Sequence, residues 1–224
     1  MFDLLLKNIH IVNDDEEFWG GVAVKNGKIA ALLSEIAEAQ ATTVIDGEGQ
    51  YLLPGGVDAH VHIRYPGGAH RETFFTGTSA AAAGGTTTII EHPISAPPQY
   101  SPEILKRRVD AFREQGIVDA AFLGAAGGDH LDDILSVAKS GIVGFKTFLH
   151  EPPEGREEEF EGLCCSDNLQ LYNALERISQ TGLLAAAHTE DNDLVAGKIK
   201  ELRSAGKTFP RAHCFSRPPL VEVL

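Results

Sequence analysis

Two histidines one residue apart, His60 and His62, lie in the apolar stretch VDAHVHIR, with Asp58 before them and Arg64 after. In a strand, side chains at i and i+2 point to one face, so the two imidazoles would project together as a pincer. Neutral imidazole is a common ligand for zinc and related metals. The same pair can also be half-buried residues bonded to backbone, so a metal site needs further donors. Candidates stand near the ends of other apolar runs: Glu91 and His92 after TTTII, Lys146 within GFKTFL, and His188 in AAAHTED. The lysine is the unusual one, because an ammonium in an apolar strand is costly unless its charge is removed or compensated. Its stem can pack while its head reaches solvent. Alternatively it loses its proton, as buried lysines readily do. A neutral amine can then add CO2 to give a carbamate, a carboxylate-like group able to bridge two cations ~3.5–4 Å apart in a hydrolytic site. The residue chemistry permits this without demanding it. Asp58 has two readings, orienting a ligand histidine from behind or accepting backbone donors at the strand's end.

The elements that would position these residues follow from the sequence pattern. The first ~55 residues lack helical periodicity and read as strands, with Asn26-Gly27 a strong hairpin signal. This predicts a small β-subdomain over residues 1–55. From residue 56 onward, amphipathic helices end at glycines that lead into apolar strands. Leu105, Val109 and Phe112 form one apolar stripe; Leu131, Leu135 and Ala138 a second; Leu171, Leu175 and Ile178 a third. Gly116, Gly141 and Gly182 are placed to end these helices in the left-handed conformation. Ser101-Pro102 is an N-cap and N1 pair. Helices alternating with nearly continuous apolar strands imply a parallel sheet covered by helices. The polar residues cluster at the C-terminal ends of the strands, where a (β/α) barrel builds its active site. A barrel is therefore expected over residues 56–224.

Composition excludes several classes. The net charge is −13, from 19 basic and 32 acidic residues, which argues against nucleic-acid or anionic-membrane surfaces. No apolar run approaches the ~20 residues that span a bilayer. Three cysteines, Cys164, Cys165 and Cys214, make no disulfide framework and suit a reducing compartment, so a cytoplasmic protein is expected.

The series GGVDAHVHIRYPG, TGTSAAAAGGTTTIIEHP, GFKTFL and AAHTED, in this order, resembles the cyclic amidohydrolases, the group of dihydroorotases, allantoinases and dihydropyrimidinases (hydantoinases). The resemblance covers essentially the whole chain. It implies an α/β fold, the amidohydrolase (β/α)8 TIM barrel with a small β-sandwich, of which residues 1–55 would be part. It also implies two divalent ions, zinc fitting best, with His60 and His62 on the more buried ion. Lys146, carboxylated by CO2, would be the bridge, and His188 would bind the second ion. A hydroxide held between the ions would attack the amide carbonyl of a small cyclic substrate, in an enzyme that is commonly a homo-oligomer.

The family also uses a histidine from the sixth strand and a proton-shuttling aspartate from the eighth. The aspartate is expected beyond Leu224, so no catalytic acid or base is assigned here, and His213 reads as a loop residue. About five βα units are counted where a barrel has eight, so the chain reads as an N-terminal part that is inactive alone. Arg64 matches the arginine that binds the substrate carboxylate in dihydroorotases, or makes a structural ion pair at the barrel mouth. Departures leave the substrate open. Pro93-Ile94-Ser95 replaces a Pro-Asn-Thr stretch, no tyrosine follows Lys146, and His92 departs from the allantoinase pattern. A cyclic ureide or imide is expected, with allantoin slightly ahead. The acidic loop over residues 150–166 reads as a lid or as a solvated surface loop. A non-catalytic dihydropyrimidinase-like scaffold is the alternative; a one-metal deaminase, needing no strand lysine, is a third reading.

Overall fold

The structure is a computed structural model that describes residues 1–34 and 40–222. It divides into two compact units, residues Met1–Gly55 and Gly56–Leu224.

The first unit is a mixed five-stranded sheet of β1 (Phe2–Val12), β2 (Glu17–Lys25), β3 (Lys28–Leu33), β4 (Ala41–Asp46) and β5 (Tyr51–Leu52). The order is β3-β2-β1-β4, and β5 also pairs with β1. Asn26 and Gly27 both have positive φ, 52° and 70°, as the tight turn between β2 and β3 requires. Ile9, Ile11 and Val22 form its buried apolar cluster.

The second unit alternates strand and helix: β6 (Gly56–Val61), α1 (Phe74–Ala83), β7 (Thr86–Glu91), α2 (Pro102–Gln115), β8 (Asp119–Ala125), α3 (Ile134–Ala138) and β9 (Gly144–Phe148). It continues through α4 (Glu157–Phe160), α5 (Asn168–Ser179), β10 (Leu184–His188), α6 (Asn192–Ser204) and α7 (Ala212–Phe215). The strands are parallel and lie in sequence order, β6 to β10. A doubly wound sheet reverses its strand order at a switch point, whereas a (β/α) barrel adds each strand on the same side. The order here is that of a barrel through its first five strands. Phe74, Ile89, Leu105, Phe122, Ile134, Val137, Phe145 and Ile178 pack as one core between sheet and helices.

Helix starts follow the sequence closely. Ser101 caps α2 through its side chain to the Ile104 N–H, with Pro102 in the first turn. The details of two stripes differ from expectation. The third helix is shorter, beginning as a 3-10 turn over Gly128–Asp133, and it buries Ile134 and Val137 while Leu135 is only half-buried. In α5 the buried pair is Ala174 and Ile178, four apart, while Leu175 faces outward. The helix meets the sheet one residue round from the face with the larger side chains, because small Ala174 permits closer approach. Gly141 and Gly182 adopt φ of 92° and 72°, as expected. Gly116 does not: its φ is −71°. Its need is space, since a Cβ there would lie 2.5 Å from the Phe112 ring.

Candidate metal centre

His60 is in β6, and His62 lies one residue past that strand's end. Their Nε2 atoms are nonetheless 3.2 Å apart, with ring planes inclined at 59°. Two nitrogens each about 2.0–2.1 Å from a tetrahedral zinc lie about 3.3–3.4 Å apart, so the pair fits a single divalent ion. His92, just after β7, joins them: one donor atom from each of His60, His62 and His92 falls within 4.8 Å of the others. Burial and the neighbouring imidazoles push His62 down to about 3, and burial first of all pushes His92 down to about 4. Burial, with the charges of Lys146 and His188, lowers His60 as well, against the opposing effect of Asp58. All three are therefore neutral at pH 7, the form that binds metal.

Lys146 is buried in the middle of β9, 5% exposed, and burial lowers its pKa. Its Nζ lies 4.9 Å from the Phe148 ring centroid, and its charge acts on His60, His62 and His92 alike. His188 ends β10, its Nε2 3.1 Å from Glu190 Oε2. It lines a cavity of about 280 Å³ with His150, Glu151 and Arg217. A larger cavity, about 500 Å³, lies along α6 and α7 against Phe209 and the exposed His213, and none of the clustered histidines lines it.

Asp58 accepts the His60 backbone N–H at 3.0 Å, the backbone reading of the two that the sequence left open. Arg64 has φ 62° and points its guanidinium to Glu159 Oε2 at 3.4 Å. Glu159 also pairs with Arg71 at 3.2 Å and Arg156 at 2.5 Å, and these guanidinium groups hold its carboxyl below the usual range against the effect of burial. The loop over residues 150–166 is thus anchored by this ion cluster. Phe160, Leu163 and Cys164 are buried in a cluster with Ile94, Ala125 and Phe148, while Glu157 and Glu158 stay exposed.

Beneath the histidines runs a network that the sequence did not announce. Both Glu91 oxygens accept the Ile63 N–H at 3.1 Å, and Oε1 also accepts the Arg64 N–H at 3.3 Å. Arg108 Nη2 bonds the same carboxylate at 2.7 Å, its Nε donates to the Tyr65 carbonyl at 3.0 Å, and its Nη1 donates to Gln99. Gln99 Nε2 donates in turn to the Leu123 carbonyl at 2.7 Å. Burial pushes the Glu91 carboxyl up, and Arg108 with the two backbone donors pulls it back. One signal existed: Arg108 falls three residues after Leu105, on the apolar face of α2.

A parallel sheet in barrel order, with imidazoles at its strand ends and a buried lysine within β9, defines a class, the (β/α) barrels that build a site at the C-terminal face. The particular family follows from comparison. The amidohydrolase family model matches residues 51–208, and the chain belongs to that family. It is 32% identical over 222 residues to an allantoinase from Deinococcus radiodurans, covering 99% of this chain and 48% of the relative. An Escherichia coli allantoinase is 32% identical over 224 residues, with the same coverage. Among solved structures, L-hydantoinase from Arthrobacter aurescens superimposes with a TM-score of 0.90 at 29% identity, covering 99% of this chain and 48% of that one. A D-hydantoinase gives 0.80 at 27%, with 99% and 47% covered. The chain thus spans about half the length of the relatives it matches. No described helix is long and apolar enough to cross a membrane.

Proposed function

We propose that this chain supplies the metal-binding face of a hydrolase that cleaves the C–N bond of a cyclic amide. The observation that carries the reading is the 3.2 Å approach of His60 Nε2 and His62 Nε2, in a chain of the amidohydrolase family. Two divalent ions would be held by His60 and His62 on one side and His188 on the other, with Lys146 between them. Zinc suits imidazole and carboxylate donors best. Neutral Lys146 would add CO2, its nitrogen forming the new C–N bond while a proton leaves to solvent, giving a carbamate anion. When bound, such ions supply Lewis acidity toward the ring carbonyl and lower the pKa of the attacking water.

The chain's own residues prepare this site. Burial keeps His62 and His92 unprotonated, so no proton need be displaced from them near pH 7. His188 must give up its bond to Glu190 to offer Nε2. In this reading residues 1–55 are part of the family's small β-subdomain and residues 56–224 the N-terminal portion of its barrel. The substrate is a cyclic ureide or imide, with allantoin ahead because relatives at 32–33% identity are named allantoinases.

Since the relatives are about twice as long, turnover is assayed on the protein purified from its source. Zinc-loaded protein is offered allantoin, hydantoin, a dihydropyrimidine and dihydroorotate. Opening of one of these rings, lost in Lys146→Ala, supports the proposal. A protein that opens none of them, or whose activity survives Lys146→Ala, sinks it.

A further inference from the structure

Strand β6 has one residue more than β7 across the stretch that carries His60. Asp58 pairs with Ile89 and Val61 with Glu91, so three steps along β6 oppose two along β7. Such a bulge breaks the ladder and re-aims a side chain. Two contacts take over here. Asp58 accepts the His60 N–H, and the His92 ring Nε2 lies 3.1 Å from the Ala59 carbonyl oxygen. A carbonyl can only accept, so the His92 proton sits on Nε2 and the lone pair on Nδ1. The backbone N–H of His92 also donates to the Val61 carbonyl at 2.8 Å. One residue therefore grips the strand on both sides of His60.

The His92 ring lies parallel to that of His60, at 5°, with centroids 3.9 Å apart. A metal bound to an imidazole nitrogen lies close to that ring's plane, along the lone pair, and parallel planes share no point. His60 and His92 therefore cannot both hold one ion in plane, whereas the inclined planes of His60 and His62 intersect. His92 is 3% exposed, and its Nδ1 is buried without a partner, as is the Nδ1 of His62. These two atoms are complementary. A His62 that gives Nε2 to a metal carries its proton on Nδ1 and needs an acceptor for it. The two rings meet edge to face with centroids 5.1 Å apart, so the unpartnered lone pair and the proton that needs an acceptor belong to neighbouring rings.

We infer that His92 is a positioning residue of the metal centre, not a ligand: it holds the ring plane of His60 by stacking and the tautomer of His62 by accepting its Nδ1 proton. This rests on the metal centre proposed above, and the experiment separates the two. Co(II) is titrated into metal-free protein, prepared as for the turnover assay above, and followed by visible absorption, alongside metal-free thermal melts. His92→Phe keeps a flat ring and loses both nitrogens; His92→Gln keeps a donor for Ala59 and loses the stack. Both should bind Co(II) about 10–100-fold more weakly, the usual effect of removing a ligand's supporting partner. Their band shape should match wild type, and the metal-free melting temperature of His92→Gln, which keeps the donor to Ala59, should stay close to it. A band changed in position or intensity would make His92 a ligand and overturn the inference. So would wild-type affinity, or, in His92→Gln, weakening matched by an equal loss of metal-free stability. If the wild-type chain binds no Co(II), or His62→Gln binds it as well as wild type, the metal centre falls and the inference with it.

Discussion

Two side chains carry the clearest consequences at the scale of single residues. Lys146 is buried against Phe148 and burial lowers its pKa, so it reaches the neutral amine form that attacks CO2 more readily than a surface lysine does. Protein prepared with zinc and 13C-labelled bicarbonate should show a carbamate carbon signal that disappears in Lys146→Arg. A spectrum without that signal in wild type would remove the bridge from the mechanism. The thiols make a second case. Cys164 and Cys165 are buried and Cys214 is exposed, and burial pushes Cys164 up to about 12. A thiol reagent at pH 8 should therefore modify Cys214 alone in the folded chain and all three cysteines in denaturant, since only the thiolate reacts. The linkage has a definite sign. The unfolded thiol ionises near 8.5 while the folded one keeps its proton to about 12. Its contribution is whole below 8.5 and is lost as pH rises through that window. Denaturation midpoints should be lower at pH 10 than at pH 8, and equal midpoints would show that Cys164 has no such shift.

At the scale of elements, the site depends on how β6, β7 and α2 are tied together. Arg108 is buried on α2 and joins Glu91 of β7, while Glu91 holds the backbone of Ile63 and Arg64 just past the histidines. Arg64 needs that hold, since φ 62° is a left-handed conformation that costs a non-glycine residue roughly 1–2 kcal/mol. Removing one partner of a buried ion pair leaves the other charge uncompensated and typically costs about 3–5 kcal/mol. Arg108→Ala should lower unfolding stability by about that amount, read from urea denaturation, and should weaken Co(II) binding although Arg108 does not touch His60 or His62. A loss below about 1 kcal/mol would mean that the pair is not buried as described. The loop over residues 150–166 belongs at this scale too. Three of its apolar residues are in a core cluster and Glu159 ties it to Arg64, while Glu157 and Glu158 stay exposed.

Taken as a whole, the second unit is a parallel sheet with two outer strands. Among the described residues, β6 pairs only with β7 and β10 only with β9. Val57 on β6 is 65% exposed and Leu184 on β10 is 68% exposed. Unpaired edges with exposed apolar side chains recruit other strands. The 224-residue chain should therefore associate as its concentration rises, by light scattering behind size-exclusion chromatography, and Leu184→Lys should reduce this. A chain that stays monomeric at high concentration would show that these edges are protected.

The sequence by itself determined the types and order of the elements and the chemistry on offer. Helix periodicity, caps and the Asn26-Gly27 turn are local properties, readable within a few residues. His60, His62, Lys146 and His188 stand out because polar residues in apolar strands are costly and therefore conspicuous. What only the tertiary structure decided lies between elements distant in sequence. The bulge in β6 exists only against β7, and His92 becomes a partner of His60 only through a stack between residues 32 apart. Arg108 stands on the apolar face of α2 with no partner named until Glu91 and Gln99 meet it, and Arg64, which the sequence left between a substrate contact and an ion pair, is reached by Glu159 from a distant loop. The stripe on α3 shifted by a residue, and in α5 Ala174 is buried in place of Leu175 beside the expected Ile178, for a related reason: periodicity names a face, but the volume of the side chains it meets settles which residue is buried.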